Sequence, residues 1–316
     1  MNLLLAVDDS TDSKAAAEIL RRIQFPAESV LYLLHVNPLD EWLRLGISGR
    51  SLYTVEQVNR IRADAATKMQ NVLSRMEETF RSSNLVVHSI VTDGSPGAEI
   101  LRTITEHHID LVVLGTRGLS KIAGFLLGSV SEWVLNEAPC SVLIVRGKSR
   151  LKKSTKGMNI LLATDGSPDA QEAIDFVRNF GFLVPTVLTI LHVVRKKIHQ
   201  TAQLLTTDRT QVAEFMKLAE DLLQARGREG TKLLETTRKA LSRPELKIVE
   251  DLAFGHEAEE ILKASQRIRA DLVVMGSKGL TGLRRILLGS VSHKVVRYAK
   301  CSVLVVRQKL VSNVGN

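Results

Sequence analysis

Glycine and serine recur at one spacing, G-x2-G-x9-G-S, in two places along this chain of 316 residues. Glycines that follow a strand let backbone N–H groups approach a ligand without an obstructing Cβ. A Gly-Ser pair at the start of a helical pattern adds N–H groups without helical partners and a dipole that favours an anion. The spacing therefore predicts two phosphate-binding loops. Their residues are Gly115, Gly118, Gly128 and Ser129 in one copy, and Gly276, Gly279, Gly289 and Ser290 in the other.

The two glycine patterns lie in a longer duplicated stretch. Residues 110–146 and 271–307 align without a gap and share 21 of 37 positions. Tight turns and helix caps would explain one copy equally well, but two copies with identical spacing favour a binding role. Neither copy has a Walker A motif, and no GxGxxG follows the first strand of either half, so P-loop and ordinary dinucleotide sites are disfavoured.

An aspartate follows the first apolar run of each half, as Asp8 and as Asp165. In doubly wound sheets, ligands bind outside the carboxyl ends of the strands where the strand order reverses. We therefore expect each aspartate to face the same crevice as its glycine loop. A carboxylate there suits ribose hydroxyls, or a metal ion that bridges phosphates, better than it suits bare phosphate.

The elements that must hold these residues alternate between apolar runs and helical patterns. In the first half, a Thr54–Gln57 capping box predicts the start of a long second helix. The second half contains four extra residues before its third strand, and Gly227 and Gly230 there predict a break in its long helix. First-half strands are expected at 3–7, 30–36, 85–91, 111–114 and 141–145.

The repeat predicts an α/β protein with two tandem, doubly wound, five-stranded parallel-sheet domains. The boundaries are a first domain at 1–146, a basic linker at 147–157, a second domain at 158–309 and a tail at 310–316. The formal charge is −3 over residues 1–146, +5 over the linker and +7 over the remainder. Such a linker suits an acidic partner. Nucleic acid is disfavoured because aromatic residues make up only 4% of the chain and no nucleic-acid-binding motif occurs.

Several classes of protein are disfavoured by composition. No run reaches the ~18–20 apolar residues of a membrane helix, and the N-terminus lacks the basic region of a signal peptide. The two cysteines, Cys140 and Cys301, occupy equivalent repeat positions and form no disulfide framework or metal cluster. We interpret them as small buried residues that open a strand, in a protein of the reducing cytoplasm.

The stretch DLVVMGSKGLTGLRRILLGSVSHKVV, with its first-half counterpart, resembles the signature of the universal stress protein family. The resemblance extends through LLAVDDS and LLATDGS to the closing CSVLIVR and CSVLVVR, and so covers nearly the whole chain. Members with an intact glycine motif bind ATP, so the resemblance implies ATP, with Mg²⁺ or Mn²⁺, as the ligand. It also implies strand order 3-2-1-4-5, with the two halves paired through their fifth strands.

The same resemblance assigns roles to individual residues. Asp8 and Asp165 would contact the ribose, and the backbones of Val36 and Val193 would read the adenine edge. No residue is assigned a catalytic or metal-ligating role. The triphosphate would lie among Gly115, Arg117, Gly118, Gly128, Ser129, Val130, Ser131, Gly276, Lys278, Gly279, Gly289, Ser290, Val291 and Ser292.

The two halves depart from one another near these residues. The family usually has glycine after the first-strand aspartate, as in Gly166, but the first half has Asp9. An inward-pointing carboxylate would weaken anion binding, and the second loop carries more cations. We therefore expect the second site to bind ATP more tightly. Ser129 with Glu132 suggests a second capping box.

These features favour a stress-response or regulatory protein in which each half binds an adenine nucleotide and modulates assembly or partner interactions. The expected partners are the nucleotide, a second copy of the chain in a homodimer, and an unidentified protein. A slow ATPase or phosphotransferase that uses Asp8 or Asp165 is one alternative, since nucleotide binding alone does not imply turnover. A scaffold that binds an acidic partner through the basic linker is another.

Overall fold

The computed structural model describes residues 1–38, 54–81, 83–116, 127–147, 157–196, 209–279 and 288–308. In the first half, strands alternate with helices as the apolar runs predict. The strands are β1 (Asn2–Ala6), β2 (Ile23–Gln24), β3 (Val30–Asn37), β4 (Val86–Asp93), β5 (Leu111–Gly115) and β6 (Ser141–Val145). The helices are α1 (Thr11–Leu20), α2 (Val55–Phe80), α3 (Pro96–Glu106) and α4 (Ser129–Glu137).

The second half repeats this order. Its strands are β7 (Met158–Ala163), β8 (Gly181–Phe182), β9 (Thr186–Arg195), β10 (Leu246–Gly255), β11 (Leu272–Gly276) and β12 (Ser302–Val306). Its helices are α5 (Pro168–Asn179), α6 (Arg209–Leu241), α7 (Glu257–Arg267) and α8 (Ser290–Tyr298). Most of the predicted linker (residues 148–156) and the whole of the predicted tail (residues 310–316) lie outside the described residues.

All strands except β2 and β8 join one ten-stranded sheet, in the order β10-β9-β7-β11-β12-β6-β5-β1-β3-β4. Within each half the five strands are parallel and follow the predicted order 3-2-1-4-5. Helices α1, α2, α5 and α6 pack on one face, and α3, α4, α7 and α8 on the other. Because both faces are covered, β6 and β12 are buried along their whole length.

The halves pair internally through their fifth strands, as the family resemblance implies. β6 and β12 run antiparallel, with Leu143 opposite Leu304. The arginine that follows each strand reaches the end of the other half's last helix. The guanidinium of Arg146 donates to the carbonyl of Val296 at 2.6 Å, and that of Arg307 donates to the carbonyls of Ala138 and Leu135. Each half therefore supplies the other with a C-terminal helix cap.

The predicted break at Gly227 and Gly230 is wrong, because α6 is continuous through both residues. A Cβ at Gly230 would lie 2.7 Å from Cδ2 of His192 and 2.8 Å from Cδ1 of Leu252. Gly230 therefore lets the helix approach the sheet closely, and tertiary packing outweighs its low helix propensity.

One predicted helix cap is confirmed and the other is wrong. The Thr54–Gln57 capping box is present at the start of α2, with Gln57 N–H donating to Thr54 Oγ1 at 3.2 Å. In α4 the N-cap residue is Gly128, which has no side chain, and Ser129 is the first helical residue. Glu132 instead lies 3.9 Å from His293 of the other half.

Candidate functional site

A cavity of about 1250 Å³ lies at the carboxyl ends of β7, β9 and β11. Helix α6 borders it on one face of the sheet, and α7 and the start of α8 on the other. It is the position where a doubly wound sheet places its ligand. All nine residues predicted for the second half line it: Asp165, Val193, Gly276, Lys278, Gly279, Gly289, Ser290, Val291 and Ser292.

The second glycine of the motif lies directly against the first-strand aspartate. A Cβ placed on Gly279 would be 2.7 Å from Oδ2 of Asp165, closer than a real side chain tolerates. The other oxygen of Asp165, Oδ1, accepts the N–H of Ser167 at 3.0 Å, so the start of α5 orients the carboxylate. Glycine at position 279 therefore brings the loop backbone and the carboxylate to one point of the cavity.

A second aspartate, which the sequence reasoning missed, fixes the start of the loop. Asp169, in the first turn of α5, accepts the Ser277 hydroxyl at 2.6 Å and the Lys278 N–H at 2.9 Å. In the first half, Asp12 likewise accepts both the hydroxyl and the N–H of Thr116, at 2.6 and 3.1 Å. The recurrence of this aspartate in both halves was the available signal, but the sequence does not show its partners.

Helix α8 begins at the cavity with backbone N–H groups that have no helical partner. Gly289 is its N-cap residue and has no side chain to accept those N–H groups. The Gly289 N–H itself donates to the carbonyl of Ser277 at 2.8 Å, and so holds the two ends of the loop together. The N–H groups of Ser290, Val291 and Ser292 are the ones that an anion in the cavity can meet.

The serine at the third position of each last helix has a structural bond. Ser292 donates its hydroxyl to the carbonyl of Gly276 at 2.9 Å, and Ser131 donates to that of Gly115 at 2.7 Å. These hydroxyl protons join the start of α8 to the end of β11, and the start of α4 to the end of β5. Of the predicted serine hydroxyls, only those of Ser129 and Ser290 carry no such bond within the described residues.

The first half places its predicted residues at equivalent positions. Asp8 follows β1 and accepts the Ser10 N–H at 3.2 Å, while Val36 lies near the end of β3. Burial raises the pKa of the Asp8 carboxyl, although hydrogen bonds from Ser10 oppose this shift. Gly115 ends β5, and Gly128, Ser129 and Val130 form the start of α4. The predicted Arg117 and Gly118 lie outside the described residues.

The residue after the first-strand aspartate differs between the two halves in backbone conformation as well as in charge. Gly166 has φ of +76°, a left-handed conformation that favours glycine, whereas Asp9 lies outside that region. The carboxylate of Asp9 pairs with Lys14 at 3.3 Å and lies 3.9 Å from the Lys68 ammonium. The carboxylate of Asp9 therefore has cationic partners within the first half.

Histidines occupy equivalent positions in β3 and β9. His35 Nδ1 lies 2.9 Å from the carbonyl of Val7, and His192 Nδ1 lies 2.9 Å from the carbonyl of Thr164. His192 also lines the cavity of the second half, which we call the second cavity because it belongs to that half. Each ring therefore ties its strand to the neighbouring first strand.

The family model described as Universal stress protein family matches residues 1–146 and 158–307. The chain belongs to the universal stress protein family. Universal stress protein YxiE of Bacillus subtilis is 33% identical over 148 residues, which cover 47% of this chain and 97% of that protein. Universal stress protein MJ0531 of Methanocaldococcus jannaschii is 30% identical over 192 residues, covering 58% of this chain and 95% of that protein.

The tandem arrangement also has a solved counterpart. A universal stress protein from Archaeoglobus fulgidus DSM 4304 superposes with a TM-score of 0.57 and covers 97% of this chain and 96% of that chain. At 21% identity, this likeness supports the fold alone. In this universal stress protein, no helix of the described segments is long and apolar enough to cross a membrane. The same segments contain no group of three or more His, Cys, Asp or Glu residues arranged to hold a metal ion.

Proposed function

We propose that this universal stress protein binds ATP in each half and that occupancy modulates its assembly or its interactions with a partner. One observation carries the proposal. The glycine loop, the first-strand aspartate and the start of α8 meet in a single cavity of the second half, where Gly279 abuts Asp165. Phosphate oxygens would accept the N–H groups at the start of α8, and the Asp165 carboxylate would accept the ribose hydroxyls.

The available contacts are sufficient for micromolar binding. A hydrogen bond to a charged group contributes about 1.5–3 kcal/mol. Four such bonds at the upper value give about 12 kcal/mol, which equals the ~8 kcal/mol of a micromolar complex plus an association cost of ~4 kcal/mol. Lys278, which also lines the cavity, adds a positive charge. A Mg²⁺ or Mn²⁺ ion that bridges the phosphates would offset their repulsion by Asp165, since both ions prefer oxygen ligands.

Binding is favoured over efficient catalysis. Helix N-termini and backbone amides stabilise ground-state and transition-state phosphates alike, and phosphoryl transfer also needs a positioned nucleophile. The position of Asp165 beside the loop favours slow hydrolysis as the second candidate. A turnover rate above ~1 s⁻¹ in metal-replete protein would replace the binding role with an enzymatic one.

Isothermal titration of ATP into the wild type and into the Asp8→Ala and Asp165→Ala variants tests the proposal. We expect two sites per chain, the tighter lost in Asp165→Ala and the weaker in Asp8→Ala. The second site has Gly166 where the first has Asp9, while Lys278 and its counterpart Arg117 are both cations. An exposed aspartate of α6, changed as Asp221→Ala, is the control and should leave both sites intact. Equal losses in the two variants would refute the ranking, and no binding by the wild type would refute the proposal.

A further inference from the structure

Charged side chains line the part of the second cavity that is formed by β9, α6 and α7. Arg195 ends β9, Arg226 and Glu229 lie on α6, and Glu257 begins α7; all four line the cavity. We call these four residues the charged end. Arg195 lies two residues beyond Val193, so the two side chains leave β9 on the same face. The charged end therefore adjoins the position at which the strand backbone would read a base.

An ion pair organises the charged end. Arg195 Nε donates to Glu257 Oε1 and so links the end of β9 to the start of α7. Burial opposes ionisation of Glu257, but the hydrogen bond and charge of Arg195 outweigh it and lower the pKa of the carboxyl. The pair uses one of the five N–H donors of Arg195 and leaves acceptor sites on Glu257. A ligand can therefore meet a fixed donor and a fixed acceptor here.

At the four aligned positions, all within the described residues, the first half has no counterpart to the charged end. Residues of β3 correspond to residues of β9 that have numbers higher by 157. Residues of α2 correspond to residues of α6 that have numbers higher by 161, because α2 ends at Phe80 and α6 at Leu241. The buried pair Leu73 and Leu234 supports the same alignment. The residues that replace Arg195, Arg226, Glu229 and Glu257 are Pro38, Ala65, Lys68 and Pro96.

The exchanged residues differ in hydrogen-bonding capacity as well as charge. Pro38 and Pro96 offer neither an N–H nor a polar side chain. Lys68 lies 3.9 Å from Asp9, and Asn37 at the end of β3 donates to Asp93 at 2.9 Å. These polar groups of the first half therefore already have protein partners.

The shape of the wall differs too. Gly230 lines the second cavity, whereas the aligned residue of the first half is Met69, which is buried in the core. In the second half α6 therefore lies close against His192 and Leu252, whereas the aligned position of the first half holds a thioether side chain.

We propose that the charged end is a base-recognition subsite that only the second half possesses, so that the two halves differ in base selectivity. The inference rests on the proposed nucleotide binding. The 6-amino group of adenine donates to a carboxylate such as Glu257, and the ring nitrogens accept from a guanidinium such as Arg195. A site built to bond a substrate group rejects an analogue without it, because its own polar group is then left unpaired.

Titrations with ATP and with purine riboside triphosphate, which lacks the 6-amino group, test the inference. The Asp8→Ala protein reports on the second site and Asp165→Ala on the first. We expect loss of the amino group to weaken binding at least tenfold at the second site and less than threefold at the first. Backbone contacts from Val36 and Val193 are common to both halves and cancel in this comparison.

A variant of the charged end separates base recognition from phosphate binding. In the Asp8→Ala background, Glu257→Ala should reduce the discrimination below threefold while affinity for tripolyphosphate is retained. Glu257→Leu, which is close in size and has no oxygen acceptor, provides the test if the alanine variant does not fold. Glu259→Ala, an exposed change in the same helix turn, is the matched control and should keep the tenfold discrimination.

The outcomes distinguish this inference from the function on which it rests. Equal discrimination by the two sites, or discrimination that survives loss of the Glu257 carboxylate, contradicts the inference alone. Absence of ATP binding in both single-site proteins contradicts the proposed function and the inference with it.

Discussion

Replacing each of the two glycines of α6 by alanine separates helix propensity from packing. Both residues lie in the interior of a 33-residue helix, where alanine is favoured over glycine by about 1 kcal/mol. A Cβ at Gly227 would lie 3.3 Å from Cζ of Phe254, an exposed ring that can move. A Cβ at Gly230 would meet His192 and Leu252 at 2.7 and 2.8 Å.

The two changes should therefore have opposite signs. Overpacking costs about 1–3 kcal/mol, and two contacts below 3 Å place Gly230→Ala at the upper end. His192 cannot turn away freely because its Nδ1 is hydrogen-bonded to the carbonyl of Thr164. After the gain in propensity, we expect Gly230→Ala to lower the free energy of unfolding by about 2 kcal/mol. Gly227→Ala should raise it by up to about 1 kcal/mol.

Urea denaturation in nucleotide-free buffer, followed by circular dichroism, measures both changes, and each variant is the control for the other. Affinity for ATP at the second site should also fall in Gly230→Ala, since His192 lines that cavity. If Gly230→Ala proved as stable as Gly227→Ala, the close approach of α6 to the sheet would not be the reason for glycine at this position.

Three further predictions concern groups away from α6. Burial raises the pKa of Cys140 to about 12 and that of Cys301 to about 11. At pH 8 the thiolate is then about one part in a thousand or less of each cysteine. Ellman's reagent should therefore label neither thiol in the native protein and both in denaturant. Burial raises the pKa of Asp8, so ionisation of this carboxyl destabilises the folded protein at pH values above that pKa. The Asp8→Asn variant should therefore be more stable than the wild type at pH 8 and no more stable at pH 3, where Asp8 is protonated. It should also bind ATP more weakly. An equal stability difference at both pH values would contradict this assignment. Arg146→Ala should lower the free energy of unfolding by about 2–3 kcal/mol, because it removes a charged donor from the buried carbonyl of Val296. A decrease below about 0.5 kcal/mol in urea denaturation would show that Arg146 does not stabilise the end of the helix.

The sequence predicts most of the fold because the decisive signals are local and occur twice. The run at 141–145 is bounded by Cys140 and Arg146, and the structure places β6 at Ser141–Val145 as expected. The strand order and the internal pairing of the fifth strands came from the family resemblance, and both are confirmed.

The errors arise where a distant part of the chain decides the outcome. Gly227 and Gly230 predict a break when the helix is considered alone, but the helix continues through both, and at Gly230 the surface of β9 and β10 requires glycine for close approach. Ser129 and Glu132 have capping-box spacing, yet Gly128 is the N-cap residue and the Ser129 hydroxyl lies one position too late in the helix.

For the candidate site too, the sequence reveals local patterns but not the contacts between distant residues. The glycine spacing, with the strand-end aspartate, identified residues that line one cavity. The bonds of Asp169 to Ser277 and Lys278 join residues more than 100 positions apart, so no local pattern reveals them. The Arg195–Glu257 pair likewise depends on the register of β9 against α7.

A crystal structure of the protein grown with ATP and Mg²⁺ would test whether the second cavity is a nucleotide site. We expect triphosphate density against the N–H groups of Ser290 and Val291, with the ribose within hydrogen-bonding distance of Asp165. Nucleotide bound elsewhere, or an empty cavity at millimolar ATP, would contradict the account.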